Sequence, residues 1–255
     1  MKPDPRQQDI LKMLNEHGFV TTEDLAKHFN LTTQTMRRDI NILCEMGLAK
    51  RKHGGVALPP AMQNQNFSAR ASFNESVKKK IGEIAAQYIE PESTLFLGYG
   101  STVIGLAQSL PRQIALTVVT NNLNAALILS DYPNIETWLT GGKIRNQHKD
   151  MTGFTATELL RSFRADLAVC SIAGISETGE LHEFQYEEAE ITRLILKNSK
   201  KTFLLADSSK YLRSATVSFA HMKDIDTLFT DCEDSTLADL CKQSDTHLIL
   251  TEEHS

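Results

Sequence analysis

From residue 75 onward, short apolar runs alternate with longer segments whose apolar residues recur at helical spacing. An apolar run of about four to eight residues is typical of a strand that is buried on both faces. The predicted strands are 94–97, 116–119, 135–139, 167–172, 202–206, 227–229 and 247–250, and the predicted helices are 75–89, 103–110, 123–130 and 186–198. Because strands separated by helices pair in parallel, this order predicts an α/β domain with a mostly parallel sheet covered by helices on both faces.

The first 58 residues carry a different pattern, in which three short helices precede a hairpin over 50–57. The third helix would place Met36, Ile40 and Leu43 on one side at a period of 3.6 residues. Thr32 comes just before this apolar rhythm and is a good N-cap. Three helices followed by a small hairpin are typical of a winged helix-turn-helix domain.

The opposite side of the third helix carries side chains that can read DNA. Arg, Gln and Asn form bidentate hydrogen bonds to guanine or adenine edges. Residues 31–56 hold five Lys and Arg against two acidic residues, whereas the whole chain has a net charge of -5. A local basic footprint on an acidic body suits recognition of a specific DNA site. The candidate DNA-binding residues are Thr33, Gln34, Thr35, Arg37, Arg38, Asn41, Arg51, Lys52 and His53.

The charge balance changes along the chain. Residues 1–58 contain 9 Lys and Arg against 7 Asp and Glu, and residues 59–255 contain 18 against 25. Residues 59–74 are polar and weakly patterned, which is typical of a linker. We therefore predict a DNA-binding domain over 1–58, a linker over 59–74 and an effector-sensing domain over 75–255. A protein-interaction module, with Arg37 and Arg38 on an ordinary solvated face, is the alternative for the first domain.

Glycine, hydroxyl and amide residues follow several of the predicted strands, where ligands gather in parallel sheets. The run over 98–102, GYGST, would let the backbone approach an anion and present helix N–H groups to it, although a plain tight turn also fits. Lys210 is the candidate cation for a phosphate, with a solvated surface lysine as the alternative. The candidate effector-binding residues at the strand ends are Gly98, Gly100, Ser101, Thr102, Asn121, Asn122, Gly141, Gly142, Lys143, Asp207 and Lys210.

A polar and aromatic stretch over 182–188, HEFQYEE, leads into a helix. Glu183, Tyr186 and Glu188 can hydrogen-bond ligand hydroxyls, and they complete the candidate effector site. Acidic residues in a first helical turn also favour the helix dipole, so a capping role for Glu187 and Glu188 is the alternative. We expect the single tryptophan, Trp138, in the core rather than stacked on a ligand.

Several classes of function lack their sequence signals. The four cysteines show no CxxC spacing and are expected to be free thiols in a reducing compartment. The histidines show no metal-ligand spacing, and no motif of a covalent nucleophile occurs. The N-terminal stretch is polar, and no run reaches the roughly 18 apolar residues that a membrane span needs. We therefore expect a cytoplasmic protein with no catalytic residues, no metal, no cofactor and no membrane contact.

These motifs together resemble the DeoR family of bacterial sugar-phosphate-responsive repressors. The runs TTQTMRRDINIL and RKHGG resemble its recognition helix and wing, and GYGST, TNNLN, TGGKIR and ADSSK follow in the family's order. The resemblance covers nearly the whole chain, and LHEFQYEEAE resembles the branch that controls glycerol metabolism. In one departure, this chain has Gly98 where family members usually carry an aspartate.

The resemblance implies an effector domain similar to ribose-5-phosphate isomerase, assembly into a homodimer or homotetramer, and double-stranded operator DNA as a partner. It also implies a repressor that a small phosphorylated sugar or polyol releases from its operator, with glycerol 3-phosphate as the expected effector. Another sugar phosphate is one alternative. A sugar-phosphate isomerase is another, because Glu183 or Asp207 can in principle act as the base. The DNA-binding front end and the loss of an acidic residue at Gly98 favour the regulator.

Overall fold

A computed structural model of the protein describes residues 3–17, 19–52, 54–57, 74–146, 148–213 and 215–251. The chain divides into two compact units, Met1–Ser72 and Phe73–Ser255. Of the predicted linker, residues 59–73 lie outside the described residues, and so does His53 of the predicted DNA-binding set. Each unit has buried hydrophobic residues of its own.

The first unit combines three helices with a three-stranded sheet in its described part. Helices α1 to α3 are Pro5–His17, Thr22–His28 and Thr33–Glu45, and strands β1 to β3 are Phe19–Thr21, Lys50–Lys52 and Gly55–Ala57. Strand β3 lies between β1 and β2 and pairs antiparallel with both. Helices α2 and α3 form the helix-turn-helix and β2 and β3 form the wing, so the predicted winged helix-turn-helix is confirmed.

Threonines mark the starts of α2 and α3. The hydroxyl oxygen of Thr21 accepts a hydrogen bond from the Asp24 N–H at 3.0 Å, and that of Thr32 accepts one from the Thr35 N–H at 3.2 Å. Each bond satisfies an N–H that the first helical turn leaves unpaired. In the turn between the helices Asn30 has a φ of 52°, a left-handed conformation in which Asn is enriched. Short polar side chains therefore determine where the two helices begin.

The second unit is built on a seven-stranded sheet in which every pairing is parallel. Strands β4 to β15 of this unit are, in chain order, Ser93–Leu97, Leu116–Thr120, Ile135–Leu139, Lys143–Arg145, Asp150–Thr152, Ala165–Cys170, Gly174–Ile175, Glu180–Glu183, Ser199–Leu205, Val217–His221, Thr227–Thr230 and His247–Leu250. Helices α4 to α9 are Glu75–Ala86, Ser101–Ser109, Leu123–Leu129, Phe154–Ser162, Tyr186–Lys197 and Ser235–Gln243. The predicted parallel α/β domain is therefore confirmed.

The order of strands in the large sheet is β15-β14-β12-β9-β4-β5-β6. The chain begins in the middle with β4, moves outward to β6, then returns to the middle with β9 and moves outward to β15. The direction of winding thus reverses between β4 and β9. In open parallel sheets the crevice for a ligand opens at the carboxyl ends of the two strands on either side of such a reversal.

Helices cover both faces of the sheet. Consecutive side chains of a strand point to opposite faces, so neighbouring residues contact different helices. On one face Leu95 of β4 belongs to the same buried cluster as Ile81 of α4 and Leu106 of α5. On the other face the next residue, Phe96, packs in a cluster with Leu160 of α7 and Ile191 of α8. The apolar runs read from the sequence are therefore buried on both sides.

Two glycines let α4 and α5 approach closely. A Cβ on Gly82 would overlap the backbone of Gly105, and a Cβ on Gly105 would lie 3.0 Å from the carbonyl oxygen of Lys78. Substituting either glycine would push the helices apart, which typically costs about 1–3 kcal/mol in a packed interior. This contact places Lys78 one turn from the start of α5.

Some elements were not predicted. They are the antiparallel hairpin β7–β8, the small sheet β10-β11-β13, and helices α7 and α9. The expectation that Trp138 lies in the core is wrong, since its side chain is 42% exposed. The reason is that β6 is an edge strand, and the rings of Trp138 and Phe163 lie 5.3 Å apart at the rim of the sheet.

Candidate DNA interface and effector site

Helix α3 exposes a polar face while its apolar face is buried. Met36, Ile40 and Leu43 are at most 1% exposed. The exposed side chains are those of Thr33, Gln34, Arg37, Arg38 and Asn41. Thr35 is only half-exposed, and its hydroxyl lies 3.0 Å from that of the capping Thr32. All predicted DNA-binding residues of α3 except Thr35 are therefore exposed.

A buried acidic side chain on the same helix, Asp39, was not predicted to have a role. Arg6 of α1 donates from Nε to Oδ2 of Asp39 at 2.8 Å and from Nη2 to Oδ1 at 3.2 Å. The hydrogen bond and the charge of Asp39 raise the pKa of Arg6 above its ordinary value. Such a forked pair fixes both separation and orientation. It anchors the middle of α3 to α1 and so sets where the polar face points.

The wing holds the remaining predicted DNA contacts. Arg51 is exposed on β2 and lies across from Val56, and Lys52 is the last residue of the strand, across from Gly55. Gly54 has a φ of +78°, a conformation that favours glycine, and it turns the chain into β3. Two of the three predicted wing residues are therefore placed on the strand that leads to the tip.

In the second unit, the loop after β4 lies at the reversal of strand order. The Gly98 N–H donates to the carbonyl oxygen of Val169 in β9 at 2.9 Å. Gly100 has a φ of +121°, and a Cβ there would lie only 3.0 Å from the Cβ of Ser171. Both glycines thus let the loop lie against the end of β9. Helix α5 begins immediately afterwards, and its N-cap, Gly100, has no side chain to accept its N–H groups.

The loop after β5 is bonded to this first loop. Thr120 donates from its hydroxyl to the carbonyl oxygen of Leu97 at 2.7 Å. The amide of Asn122 donates to the Gly100 carbonyl at 3.4 Å and accepts from the Ala125 N–H at 3.2 Å, so it serves the protein's own structure. Asn121 donates to the Met151 carbonyl at 3.1 Å, and its buried Oδ1 has no partner among the described residues. Of the two asparagines, only Asn121 keeps an acceptor for a ligand.

Two lysines act on the buried carboxylate of Asp207, which follows β12. Burial alone would raise the pKa of Asp207, but Lys78 and Lys210, with hydrogen bonds from Ser209 and Asn74, lower it below the ordinary range. Asn74 donates to its Oδ1 at 3.3 Å, and the Ser209 N–H donates to the same oxygen at 3.1 Å. The carboxyl end of β12, where the sequence predicts a cation for a phosphate, therefore contains two ammonium groups and an ionised carboxylate.

The hairpin β7–β8 is joined to the start of α8 by Arg145. This guanidinium bonds both oxygens of Asp150, and its Nη1 donates to Gln185 at 3.0 Å and to Glu188 at 2.7 Å. Burial opposes the charge on Arg145, but Asp150 and Glu188 outweigh it and raise the pKa. Glu188 also accepts from the Gln185 N–H at 3.1 Å, which completes a capping box. Glu188 is therefore committed to Arg145 and to its own helix.

Tyr99 and Glu183 lie beside this network and interact with each other. Arg145 lies over the Tyr99 ring, with its Cζ 5.6 Å from the ring centre. Tyr99 and Glu183 are both buried, and a side-chain hydrogen bond between them acts on the pKa of each. Burial, followed by the charge of Glu188, raises the pKa of Glu183 well above its ordinary value. Burial, followed by Glu183 and Glu188, raises the pKa of Tyr99 in the same way.

The remaining predicted effector residues lie at the margin of this arrangement. Gly142 and Lys143 are exposed, Gly141 is half-exposed, and Tyr186 is 61% exposed. A Cβ on Gly142 would lie 2.6 Å from the carbonyl oxygen of Thr152, so this glycine permits the tight entry into β7. The structure thus buries Gly98, Asn121, Glu183, Glu188 and Asp207. It places Gly141, Gly142, Lys143 and Tyr186 at the surface.

Sequence reasoning missed Lys78, Tyr99 and Arg145. Lys78 stands three residues before Ile81 and seven before Ala85, both fully buried, so its helical spacing put it on the apolar face. Arg145 belongs to the quoted TGGKIR run but has no spacing relation to Glu188, which lies 43 residues later. Tyr99 stands between the two glycines of the loop and carries no signal in the sequence alone.

A separate groove of about 320 Å³ lies on the other edge of the sheet and is bordered by Cys232, Asp234, Leu248 and Leu250. None of the predicted effector residues lines it. In the described part of the chain no three His, Cys, Asp or Glu side chains are grouped to hold a metal ion. Nor does that part contain a helix with the length and apolarity of a membrane span.

Comparison with solved structures finds a distant likeness. Ribose 5-phosphate isomerase A from Methanocaldococcus jannaschii matches with a TM-score of 0.39 and 17% identity, over 54% of this chain and 55% of that one. A likeness this weak bears on neither ligand nor activity.

Comparison with protein families and curated proteins is more informative. The DeoR-like helix-turn-helix domain matches residues 6–61, and the DeoR C terminal sensor domain matches residues 73–232. The glycerol-3-phosphate regulon repressor of Escherichia coli (strain K12) is 35% identical over 91% of this chain and 92% of its own. That of Haemophilus influenzae is 33% identical over 98% of each chain. The repressor GlcR of Bacillus subtilis (strain 168) is 33% identical over 99% of this chain and 98% of its own. The protein therefore belongs to the DeoR family of helix-turn-helix transcription regulators and is related to glycerol-3-phosphate regulon repressors.

Proposed function

We propose that the protein is a transcriptional repressor that binds an operator through residues 1–58 and leaves it when a small phosphorylated effector, glycerol 3-phosphate, binds within residues 75–255. The observation that carries the proposal is helix α3. It buries one apolar face and exposes Gln34, Arg37, Arg38 and Asn41 on the other. These side chains have the donor and acceptor patterns that distinguish base pairs in the major groove.

In the proposed complex, α3 lies in the major groove and the wing contacts the flanking backbone or minor groove. Arg38 and Gln34 read bases, whereas Arg37 and Thr35 contact bases or phosphates beside them. Arg51, Lys52 and His53 supply the wing contacts. Because a helix-turn-helix reads one half-site, two copies in a homodimer or homotetramer would read a two-fold operator.

The effector is proposed to bind at the carboxyl ends of the strands, beside the reversal of strand order. The start of α5 supplies N–H groups without a capping side chain, which suits a phosphate. Lys78 and Lys210 supply positive charge at the neighbouring strand end. The hydroxyls of Ser101 and Thr102 stand in the first turn of the same helix.

We infer a binding site rather than a catalytic one. A general base must be ionised and basic near neutral pH. The lowered pKa of Asp207 makes it a weak base. Glu188 is paired with Arg145. These two carboxyl groups are better suited to holding a ligand than to moving a proton.

Fluorescence anisotropy of the full-length protein on DNA from its own promoter region tests the proposal. We expect tight binding that glycerol 3-phosphate weakens about 5–150-fold, the range of a typical allosteric coupling. Free glycerol, which lacks the phosphate, should have no effect. Lys210→Ala should bind the operator normally and lose the response.

Two results would contradict the proposal in different ways. Absence of salt-dependent binding to duplex DNA would remove the DNA-binding function. Tight DNA binding that responds to no phosphorylated polyol or sugar would leave the regulator but remove the effector class.

A further inference from the structure

Strand β6 is the last strand of the seven-stranded sheet, and no strand of the described residues pairs with its outer side. At its two ends, the Asn134 carbonyl accepts from the Leu116 N–H at 3.2 Å, and the Thr140 N–H donates to the Thr120 carbonyl at 3.0 Å. Backbone groups of consecutive strand residues point in opposite directions, so the even-numbered residues from 134 to 140 face β5. The backbone groups of residues 135, 137 and 139 therefore face outward.

The outer side of β6 lacks the usual protection of a sheet edge. Of its outward groups, the Ile135 N–H makes a long bond of 3.4 Å to the Tyr132 carbonyl. An edge strand is a template for another strand, and natural proteins commonly block it with lysine, proline or a bulge. Strand β6, IETWL, has no lysine or proline and pairs with β5 in unbroken register. Trp138 and Leu139 are 42% and 36% exposed, so this edge is also apolar.

The strand is complementary to a copy of itself that runs in the opposite direction. A two-fold axis at Thr137 sets this residue opposite its own copy, Ile135 opposite Leu139, and Glu136 opposite Trp138. The odd-numbered residues then form the hydrogen-bonded positions of an antiparallel ladder. Within one strand Trp138 donates from Nε1 to Oε1 of Glu136 at 3.1 Å. Across the axis the same donor and acceptor face each other, and the remaining pair is apolar.

Thr137 provides a second, independent observation. Its Oγ1 is buried and has no hydrogen-bond partner among the described residues. Such a group is costly, and native proteins rarely keep one without a reason. On the axis the two Thr137 side chains lie on the same face of the joined sheet, where opposed threonines can hydrogen-bond to each other. A second copy of the chain therefore offers a partner to this hydroxyl as well as to the strand.

The opposite edge of the sheet is less suited to such a contact. The groove beside β15 is bordered by Glu233 and Asp234. A symmetric contact there would bring the acidic side chains of both copies into one interface, where like charges repel. On β6 the single acidic residue, Glu136, would instead lie opposite Trp138.

We propose that two copies of this chain associate edge to edge through β6, antiparallel about a two-fold axis at Thr137, and so join their two large sheets into one. The contact uses the same surface on both copies, as a closed two-fold dimer requires. The inference deepens the proposed function and rests on it, since it names the surface through which the two copies that read an operator meet. It leaves the proposed effector site free, because β4 and β9 lie away from this edge.

Thr137→Cys tests the axis in the full-length protein. Residues paired at a hydrogen-bonded position have Cα atoms about 5.5 Å apart, within the roughly 4.4–6.8 Å that a disulfide spans. Mild oxidation should therefore link two chains covalently, as a band of doubled mass on a non-reducing gel that reductant removes. Lys242→Cys is the control, because that side chain is 79% exposed on α9 and lies outside β6. The wild type, with its four cysteines, gives the background.

Leu139→Lys tests the contact without a cross-link. It adds the charge with which natural edge strands avoid pairing, at a position that is already partly exposed. Sedimentation equilibrium should show the mass of the assembly halved, from dimer to monomer or from tetramer to dimer. His247→Lys adds the same charge to the exposed first residue of β15 and should leave the mass unchanged. The cross-link of Thr137→Cys does not depend on the folding of this variant.

The edge contact is overturned if Thr137→Cys cross-links no faster than Lys242→Cys, or if folded Leu139→Lys keeps the mass of the wild type. If the wild type is then still a multimer that binds the operator, the copies meet elsewhere and the proposed function stands. A wild type with the mass of a single chain would overturn both the edge contact and the two-fold reading of the operator. Anisotropy with and without glycerol 3-phosphate measures DNA binding and the effector response separately from this contact.

Discussion

Arg145 donates from Nη1 to Oε1 of Glu188 at 2.7 Å and so joins the hairpin β7–β8 to the first turn of α8. Both side chains are nearly inaccessible, at 10% and 2% exposure. The same guanidinium also binds Asp150, so one cation is bonded to two buried carboxylates. Removing that cation leaves both charges in a site from which water is excluded.

Arg145→Met should therefore destabilise the second unit by about 3–5 kcal/mol, the usual cost of breaking a buried ion pair by removing one partner. Urea unfolding followed by tryptophan fluorescence measures this, since the single tryptophan, Trp138, lies in that unit. Arg161→Ala is the control, because its pair with Glu158 is exposed and should contribute about 0–1 kcal/mol. Equal losses for the two variants would show that the buried network is not stabilising.

Arg38→Ala should relax sequence preference at one operator position by about 1–3 kcal/mol, the discrimination of a bidentate contact to a base. The measurement is competition anisotropy against operators that carry single base-pair changes. Lys12→Ala removes a comparable charge from α1 and should preserve the ranking of these operators. An unchanged ranking for Arg38→Ala would mean that this side chain does not read a base.

Asp39→Asn should weaken operator binding several-fold while preserving the ranking of operators, because α3 loses its forked anchor to Arg6 and not a base contact. The change makes the domain more positive, so simple electrostatics predicts the opposite direction. Glu45→Gln removes the same charge from an exposed position on α3 and is the matched control. If both variants tighten binding equally, the anchor has no role in orienting the helix.

Glu183 should make stability fall as pH rises. Its pKa is raised in the folded state, so the native protein holds a proton that the unfolded chain releases above about pH 4.5. Stability therefore decreases between that pH and the folded pKa, by at most about 1.4 kcal/mol per pH unit. Glu183→Gln lacks this dependence and should gain stability relative to the wild type as the pH rises above about 4.5. Parallel curves for the two proteins would show that Glu183 is ionised when folded.

Local pattern was enough for the elements whose signals are short-range. Strands β6 and β15 occupy the residues that the apolar runs predict, 135–139 and 247–250. The capped and amphipathic α3 follows from Thr32 and the spacing of Met36, Ile40 and Leu43. The hairpin β7–β8 and the small sheet β10-β11-β13 were not predicted, because strands such as KIR and ELHE contain no continuous apolar run.

The sequence by itself determined the two kinds of domain, the polar face of α3 and the set of polar strand ends, because periodicity and the alternation of strands with helices depend on neighbours in the chain. Only the tertiary structure decided which of those polar groups meet. It put Arg145 on Glu188, Lys78 and Lys210 beside Asp207, and Tyr99 beside Glu183. Trp138 lies exposed on an edge strand, a position that its apolar run did not predict. Burial and pairing are properties of distant segments brought together, and no local pattern encodes them.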